Sequence, residues 1–175
     1  MHIRVLAASA LVPPIRDEID RLCERAYNQD LRPLLDTFAD PVHIVGIVDG
    51  AIVSHALWIT RWLQSDDGPL LRTAYVEAVA TDPAHRGRGY ASRVVQALIR
   101  RVRDFELAAL CPADEAEALY ARLGWERWRG PLSIRQNDAR IATPDEIVMI
   151  YRLAQSPPLD LASSLSAEWR TGELW

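Results

Sequence analysis

Several residue types are absent or scarce in this chain, and each absence excludes a class of chemistry. All 20 basic residues are arginine, which excludes a lysine Schiff base and the phosphate-binding lysine of P-loop proteins. The two cysteines, Cys23 and Cys111, are too few for a disulfide framework and lack the spacing of a zinc site. We therefore expect each cysteine to be a small buried apolar residue.

Metal ligands, membrane spans and long apolar runs are also lacking. The histidines show no ligand spacing, so the sequence predicts no metal, and we expect surface or hydrogen-bonded positions for His2, His43, His55 and His85. No apolar segment reaches the length of a membrane span, and Pro13 and Pro14 interrupt the short apolar run near the start. We expect no signal peptide, no membrane association and a cytoplasmic protein.

The overall charge narrows the class of partner. The net charge is -4, which argues against nucleic acid as the main partner and is compatible with a cationic ligand. At 175 residues with 49% hydrophobic content, the chain is long enough for one well-packed core. The sequence therefore predicts a single domain over residues 1–175.

The order of hydrophobic patterns predicts an α+β, or mixed α/β layered, domain. A first strand and a proline-opened helix precede a loop with one short helix, an antiparallel meander, and then alternating strands and helices. In chain order, the segments are HIRVLAAS, PPIRDEIDRLCERAY, NQDLRPLLDTFADP, VHIVGIVDGAIVSHALWITRWLQ, LLRTAYVEAVATDP, AHRGRGYASRVVQALIRRVRDF, ELAALC, PADEAEALYARLG, WERWRGP, EIVMIYRLA and SAEWR. Asp49-Gly50 predicts a hairpin turn, and SAEWR is expected to form a last helical turn.

The most informative stretch is YVEAVATDPAHRGRGYASRVVQALI, where a strand passes into the long amphipathic helix. Gly87 and Gly89 permit a tight turn, and the free amides of the first helical turn point outward at the positive end of the helix dipole. Arg86 and Arg88 add mobile positive charge. This junction is predicted to bind an anion, and a pyrophosphate suits it best. The alternative is a structural turn that carries arginines.

The turn RGRGYA follows the pattern Arg-x-x-Gly-x-Ala and not the dinucleotide pattern GxGxxG. In these residues the chain resembles the GNAT superfamily of acetyl-CoA-dependent N-acetyltransferases. A more specific resemblance, to the aminoglycoside 2'-N-acetyltransferases, extends over nearly the full length through HIRVLAAS, AYNQD, YVEAVAT, ALYARLGW, TPDE and EWRTGELW. The resemblance implies a GNAT fold, with a central, mostly antiparallel sheet, a β-bulge and flanking helices. It also implies acetyl-CoA as the cosubstrate and a homodimer.

The resemblance assigns roles to individual residues. The CoA pyrophosphate is held by the turn that comprises Arg86, Gly87, Arg88, Gly89, Tyr90 and Ala91. Glu77 is the general base, acting through a water, and backbone amides near Ala78 and Val79 stabilise the oxyanion. Tyr120 reaches the CoA sulfur and protonates the leaving thiolate. The alternatives are a solvent-facing carboxylate at Glu77 and a core-packing ring at Tyr120.

Acidic groups are expected to recognise the ammonium groups of an aminoglycoside. Asp30 matches one acidic position of the family, and Asp145 or Glu146 in TPDE matches another, with Glu146 standing where the family has an aspartate. Trp175 is expected to be buried together with a packed Trp169, so that its carboxylate contacts the sugar amines. The alternatives for Trp175 are a hydrophobic clasp and a dimer contact.

The function implied by the resemblance is acetyl transfer from acetyl-CoA to the 2'-amine of an aminoglycoside, which confers antibiotic resistance. Kasugamycin is a distinct candidate because it also bears a carboxylate, which Arg32, Arg61 or Arg72 near the cleft would favour. One alternative is a GNAT enzyme that acetylates another small amine or a peptide N-terminus. Another is a noncatalytic acyl-CoA-binding or dimer-forming module.

Overall fold

The computed structural model describes residues 1–137 and 139–175. The helices are α1 (Pro13–Tyr27), α2 (Arg32–Leu35), α3 (Tyr90–Arg101) and α4 (Glu117–Arg122). The strands are β1 (His2–Ala7), β2 (Val42–Val48), β3 (Ala51–Ser65), β4 (Leu70–Thr81), β5 (Leu107–Leu110), β6 (Glu126–Arg127), β7 (Leu132–Gln136), β8 (Ala139–Ala142), β9 (Met149–Arg152) and β10 (Leu165–Glu168). These elements confirm the predicted α+β class. Within the described residues, no helix is long and apolar enough to cross a membrane.

The chain forms two compact units. The first unit contains residues 1–59 and 76–101, and the second contains residues 60–75 and 102–175. The chain passes between the units inside strands, because β3 and β4 each contribute residues to both. The organisation of residues 1–175 as one domain stays a prediction.

In the first unit, β1, β2 and the first part of β3 form an antiparallel sheet. β1 pairs with β2 along its whole length, and β2 pairs in turn with β3. Asp49 and Gly50 join β2 to β3 with φ angles of 50° and 84°. This left-handed backbone is the conformation that a two-residue hairpin turn requires, so the predicted Asp-Gly hairpin is confirmed.

Helix α1 packs one apolar face against this sheet. Pro13 lies in its first turn, where a missing N–H costs no helical hydrogen bond, and Asn28 ends the helix with a φ of 54°. The buried apolar residues of the helix recur at helical spacing and are Ile19, Leu22 and Cys23. They form one core with strand residues Leu6, Val45, Ile52 and Ala80. The predicted bounds of this helix and the burial of Cys23 are confirmed.

The second unit contains a mixed sheet with the strand order β6-β9-β5-β4-β3-β10-β7-β8. The pairings of β4 with β5 and of β10 with β7 are parallel. The pairings of β3 with β10, β5 with β9, β6 with β9 and β7 with β8 are antiparallel. Together with the antiparallel pairs of the first unit, these pairings confirm the predicted mostly antiparallel arrangement.

The helical turn expected for SAEWR is wrong, because this segment contributes to strand β10. Leu165, Ser166 and Ala167 are buried, and each pairs with β3 on one side and with β7 on the other. A strand that pairs on both edges has its hydrogen bonds satisfied within the sheet and does not need an alternating pattern when both faces are covered. The alternation of apolar and polar residues over Leu165–Glu168 is only four residues long, too short to distinguish a strand from a helical turn by pattern alone.

Two expectations about burial are also wrong. Cys111 follows β5 directly and is exposed, so only Cys23 behaves as a buried apolar cysteine. Trp169 is 46% exposed, whereas Trp175 is 3% exposed. The two tryptophans near the end of the chain therefore have different environments, and only Trp175 packs as expected.

Candidate active site

A glycine-rich turn precedes helix α3 in the first unit. Gly87 and Gly89 have φ angles of 75° and 72°, and a Cβ atom built on either glycine would meet no atom within 4 Å. Glycine is therefore required here for its backbone conformation and not for lack of space. Arg93 N donates the first helical hydrogen bond, to Gly89 O at 3.2 Å, so the amides before it are not committed to the helix. The turn and the helix end offer these N–H groups to an anion.

The two arginines of the turn differ in their surroundings. Both are exposed, but Arg86 Nη2 donates to Ala26 O at 2.9 Å, near the C-terminal end of α1. The expectation that both arginines carry mobile charge is therefore wrong for Arg86, whose guanidinium is bound to the main chain of α1. Arg88 is exposed, and its role as a mobile positive charge stays a prediction.

The end of α1 is also tied to the residues just before the turn. Arg25 Nη2 lies 2.8 Å from Asp82 Oδ2, and Asp82 Oδ1 accepts a hydrogen bond from Ala84 N at 2.9 Å. Desolvation by burial acts to raise the pKa of Asp82, but the hydrogen bonds from Arg25, Ala84 and His85 outweigh it, so the pKa lies below its usual value. Asp82 thus remains ionised and holds the turn against α1.

Strand β4 carries a local distortion at Ala78, where φ is 49°. A left-handed alanine inside a strand is strained, and it marks the position where the resemblance implies a β-bulge. The Ala78 carbonyl is hydrogen bonded to His55 Nδ1 at 2.8 Å, and the Val79 carbonyl accepts from the Tyr27 hydroxyl at 3.0 Å. Side chains of β3 and α1 therefore hold two consecutive carbonyl groups of β4.

Glu77 directly precedes this distortion and is partly buried, with its Oε1 atom inaccessible to solvent. Its position therefore differs from a fully solvent-facing strand carboxylate. Asp30 is exposed and lies two residues after Asn28, the residue that ends α1. Its Oδ1 accepts a hydrogen bond from Arg32 N at 2.9 Å. The first unit thus contains Asp30, the β4 distortion and the whole turn from 86 to 91.

Tyr120 lies on α4 in the second unit and is 5% exposed. Its ring contacts Trp125 edge to face, with centroids 5.8 Å apart. Burial raises the pKa of Tyr120 above its usual value, so the phenol stays protonated at neutral pH and can donate a hydrogen bond. The ring packs in the core, as one interpretation of the sequence predicted, and packing of the ring does not remove the donor.

The residues around Trp175 form a hydrogen-bonded cluster. Trp175 Nε1 donates to Thr143 Oγ1 at 2.8 Å, and Arg170 Nη2 donates to Trp175 O at 2.9 Å. Arg61 is 1% exposed and donates to Leu174 O at 2.9 Å, which holds the preceding residue as well. Arg61 also stacks over the ring of Tyr75, 4.7 Å from its centroid. The side chain and main chain of Trp175 are thus both held in place.

A cavity of about 500 Å³ lies in the second unit. Its lining combines apolar and charged side chains with backbone, and consists of Arg127, Trp128, Arg129, Gly130, Pro131, Leu132, Ala142, Thr143, Pro144 and Glu146. Thr143 connects this cavity to Trp175, because its hydroxyl is the partner of the indole N–H. Asp145 is exposed but does not line the cavity, whereas Glu146 does.

Sequence reasoning missed the arginines of this cavity and named others. Arg32 lies 3.0 Å from Asp20, Arg61 is bound to the main chain near Trp175, and Arg72 lies 3.6 Å from Asp104. None of these three lines the cavity. The signal that could indicate Arg127 and Arg129 is WERWR, where basic residues alternate with or follow tryptophans in a segment that leads into β structure.

No metal site is formed by the part of the chain that the structure describes, since no group of three or more His, Cys, Asp or Glu side chains is arranged to hold an ion. Cys111 Sγ lies 3.6 Å from Glu146 Oε2, outside any such group.

The candidate residues fall into two sets, according to the unit that contains them. Asp30, Glu77, Ala78, Val79 and the turn belong to the first unit, and Tyr120, Asp145, Glu146 and Trp175 belong to the second.

Comparison with known proteins adds a family and a fold to this geometry. Residues 12–125 match the family described as Acetyltransferase (GNAT) family. The aminoglycoside 2'-N-acetyltransferase of Mycolicibacterium fortuitum is 34% identical over 183 aligned positions, which cover 98% of this chain and 91% of that protein.

Solved structures show the same fold at lower identity. The GNAT family N-acetyltransferase YhbS from Escherichia coli, in complex with CoA, has a TM-score of 0.65 at 20% identity, over 97% of this chain and 89% of that one. A GNAT family acetyltransferase from Brucella melitensis, in complex with acetyl-CoA, has a TM-score of 0.59 at 13% identity, over 90% of this chain and 92% of that one. These likenesses confirm the fold that the sequence predicts.

Proposed function

The chain belongs to the GNAT acetyltransferase family, in the group of the aminoglycoside 2'-N-acetyltransferases, and from this premise we propose that it acetylates the 2'-amino group of an aminoglycoside with acetyl-CoA. The observation that carries the proposal is the combination, within one unit, of the Gly87–Gly89 turn with a distorted strand at Ala78. The relative from Mycolicibacterium fortuitum supports the choice of acceptor, since its likeness extends over nearly the whole chain.

Acetyl-CoA is the cosubstrate in this proposal, and its pyrophosphate binds at the turn before α3. The amides from Gly87 to Ala91 donate hydrogen bonds to the phosphate oxygens, and the exposed Arg88 adds positive charge. Two structural relatives in complex with CoA or acetyl-CoA support this assignment. The bond of Arg86 to Ala26 O suits a role in fixing the turn to α1.

Acetyl transfer requires three groups, and the family resemblance supplies a candidate for each. Glu77 accepts, through a water, the proton that the ammonium group must lose before the amine attacks the thioester carbon. The amides near Ala78 and Val79 stabilise the oxyanion of the tetrahedral intermediate. When the carbon–sulfur bond breaks, Tyr120 donates its phenolic proton to the departing thiolate and is reprotonated from solvent.

The cationic acceptor is recognised by acidic groups in this proposal. Asp30, Asp145, Glu146 and the main-chain carboxyl group of Trp175 contact the ammonium groups of the aminoglycoside. The position of Glu146 in the cavity wall supports its assignment, and the burial of Trp175 supports a fixed carbonyl group at that residue. Asp145 does not line the cavity, so we expect it to contribute less to binding than its neighbour Glu146.

Kasugamycin is the preferred acceptor in this proposal, and the charges that line the cavity support it. Arg127 and Arg129 line the same space as Glu146, so the walls offer both signs of charge. A ligand that carries a carboxylate as well as amines matches such walls better than a pure polycation does. Arg127 also forms an ion pair with Glu117 at 3.0 Å, which leaves Arg129 as the main candidate for contact with a ligand carboxylate.

The proposal extends to assembly and location. A homodimer is favoured by exposed aromatic and aliphatic side chains of the second unit, namely Trp62, Ile141 and Trp169. The reaction takes place in the cytoplasm, where acetyl-CoA is available. Light scattering coupled to size exclusion measures the molar mass, and a mass near 19.7 kDa, that of one chain, would contradict the dimer.

The experiment that tests the function is release of free CoA, followed with a thiol reagent, across aminoglycosides with and without a 2'-amine. Turnover restricted to compounds with a 2'-amine is expected, with kasugamycin among the best substrates. Equal turnover of acceptors that lack the 2'-amine would contradict the assigned position. No release with any aminoglycoside, despite measurable acetyl-CoA binding, would exclude this function and direct the search to other small amines or peptide N-termini.

A further inference from the structure

Two histidines are buried behind the distortion in β4. His43 on β2 and His55 on β3 are 2% and 0% exposed. His43 Nδ1 lies 2.9 Å from His55 Nε2, and His55 Nδ1 lies 2.8 Å from the carbonyl oxygen of Ala78. The rings thus form a hydrogen-bonded chain, which we call the histidine relay, that ends on the main chain of the strained residue. All of these residues belong to the first unit.

The direction of the relay follows from the chemistry of its end. A carbonyl oxygen only accepts hydrogen bonds, so the proton of this contact must be on His55 Nδ1. Nε2 of a neutral His55 is then an acceptor, and it receives the proton of His43 Nδ1. His43 Nε2 is left as a buried acceptor, for which the described residues provide no hydrogen-bond partner.

The neutral state of both rings agrees with their environment. Burial lowers the pKa of His43 to about 4, with Arg16 as a further cause. Burial, followed by the proximity of His43, lowers the pKa of His55 to about 3, and the hydrogen bond to Ala78 only partly offsets this. The relay therefore stays uncharged near neutral pH, and each ring keeps a single defined tautomer.

Holding the Ala78 carbonyl also fixes the amide that follows it. No cis peptide occurs in the described residues, and in a trans peptide the C=O and the next N–H point in opposite directions. Because the Ala78 carbonyl points to His55, the N–H of Val79 points away from the buried ring. Ala78 has a φ of 49°, a strained conformation that persists only where neighbouring groups hold it.

We propose that His55, supported by His43, is a positioning residue that aims the Val79 amide at the oxyanion of the acetyl-transfer reaction. The inference rests on the proposed function for the identity of the reaction, whereas the tautomers and the amide direction do not depend on it. Tyr27 assists from the other side, because its hydroxyl binds the Val79 carbonyl and so holds the next peptide. A misdirected amide donor would affect the transition state more than the binding of either substrate.

Matched variants separate positioning from general packing. His55→Leu removes the donor to Ala78, whereas His55→Asn places an N–H close to the position of Nδ1. Ser54→Ala is the control, since Ser54 is equally buried on β3 and donates to the Ala80 carbonyl at 3.0 Å, two residues beyond Ala78. Steady-state kinetics, acetyl-CoA dissociation constants and thermal unfolding are measured for all three variants.

The expected result is a loss in kcat of about 10- to 100-fold for His55→Leu, with KM and the acetyl-CoA dissociation constant within about threefold of wild type. His55→Asn should recover most of kcat, and Ser54→Ala should retain it. The proposal is overturned if His55→Leu and Ser54→Ala lose kcat equally, or if His55→Asn recovers stability without kcat. If His55→Leu does not fold, the comparison of His55→Asn with His43→Leu takes its place, and an unchanged kcat in His43→Leu removes His43 from the relay.

A second measurement does not require activity. Nitrogen-15 NMR of the imidazole rings identifies the protonated nitrogen, and the relay requires Nδ1–H on both His43 and His55 between pH 6 and pH 8. The Val79 amide signal should shift when acetyl-CoA is added to wild type, shift less in His55→Leu, and keep most of the wild-type shift in His55→Asn. Protonation of His55 at Nε2 would overturn the inference even in an active enzyme. Correct tautomers in a protein without transferase activity would instead contradict the proposed function alone.

Discussion

At the scale of single residues, Tyr120 shows how one side chain serves packing and chemistry together. Its ring contacts Trp125 edge to face, and burial raises the pKa of its hydroxyl, which keeps the proton in place until a strong acceptor forms nearby. A free thiol has a pKa of about 8.5, so the departing thiolate first accepts a hydrogen bond from this weaker acid, and reprotonation of the phenolate from solvent completes the proton transfer. The proposed acid is therefore protonated in the resting enzyme at any physiological pH.

The variant Tyr120→Phe tests this dual role, because it keeps the ring and removes only the hydroxyl. We expect kcat to fall about 10- to 100-fold, since a positioned acid contributes about that much or more, while thermal stability changes little. Tyr151→Phe is the matched control, because the ring of Tyr151 also contacts Trp125 edge to face, with ring centroids 5.7 Å apart. Equal kcat values for the two variants would show that the Tyr120 hydroxyl has no catalytic role and that the residue contributes only to packing.

The residues around Ala78 show where prediction from sequence stops. YVEAVAT predicts a strand, and the resemblance implies a bulge, yet no local pattern indicates that His43 and His55 lie behind it. Their partners are 23 and 12 residues distant along the chain, and a histidine in a β-rich run has the same pattern whether it is exposed or buried. The relay depends on the register between strands, which a single sequence does not reveal.

At the scale of elements, sequence patterns predicted most helices and strands because local signals and burial agreed. The stripe of α1 and the Asp49-Gly50 turn are of this kind. The helical turn predicted for SAEWR is wrong because β10 is an interior strand of the sheet, and its conformation is determined by pairing with β3 and β7. Likewise, the ion pairs of Arg32 and Arg72 depend on residues far away in the sequence, so these arginines could not be excluded in advance.

One of the contacts that hold the segment after β10 is a side-chain hydrogen bond that can be removed with little change in side-chain shape. Thr143→Val replaces the hydroxyl that accepts from Trp175 Nε1 with a methyl group of similar size. A buried indole N–H without a partner costs about 1 to 3 kcal/mol, which is enough to release the indole locally. We expect the acceptor KM to rise about 5- to 50-fold, while the acetyl-CoA KM stays within about twofold.

The control for this prediction is Thr143→Ser, which keeps the acceptor oxygen and loses a methyl group. It should restore the acceptor KM to within about threefold of wild type, because the hydrogen bond and not the side-chain volume holds the indole. Fluorescence of the tryptophans reports independently on release of Trp175. An unchanged acceptor KM in Thr143→Val, with altered fluorescence, would show that Trp175 has no part in binding the acceptor.

At the scale of the whole molecule, the relay links the proposed catalytic geometry to global stability. Both histidines are neutral in the folded chain, whereas in the unfolded chain they titrate near the usual pKa of 6.5. Above that pH the two histidines are unprotonated in both the folded and the unfolded chain, so their neutrality in the folded chain costs no stability. As the pH falls below 6.5, the histidines of the unfolded chain bind protons, whereas those of the folded chain stay unprotonated down to about pH 4. The free energy of unfolding therefore declines.

Urea unfolding between pH 7 and pH 5 measures this decline. Each ring contributes a slope approaching 1.4 kcal/mol per pH unit, so we expect a loss of about 3 to 4 kcal/mol for the pair over this range. The lowered pKa values of Asp66 and Asp82 affect stability only at lower pH, which leaves this window to the histidines. The double variant His43→Asn/His55→Asn should flatten the slope, whereas Ser54→Ala should lower stability equally at every pH. A slope that persists in the double variant would mean that other groups bind the protons, and the buried, neutral pair would then lose its role in setting the acid limit of the fold.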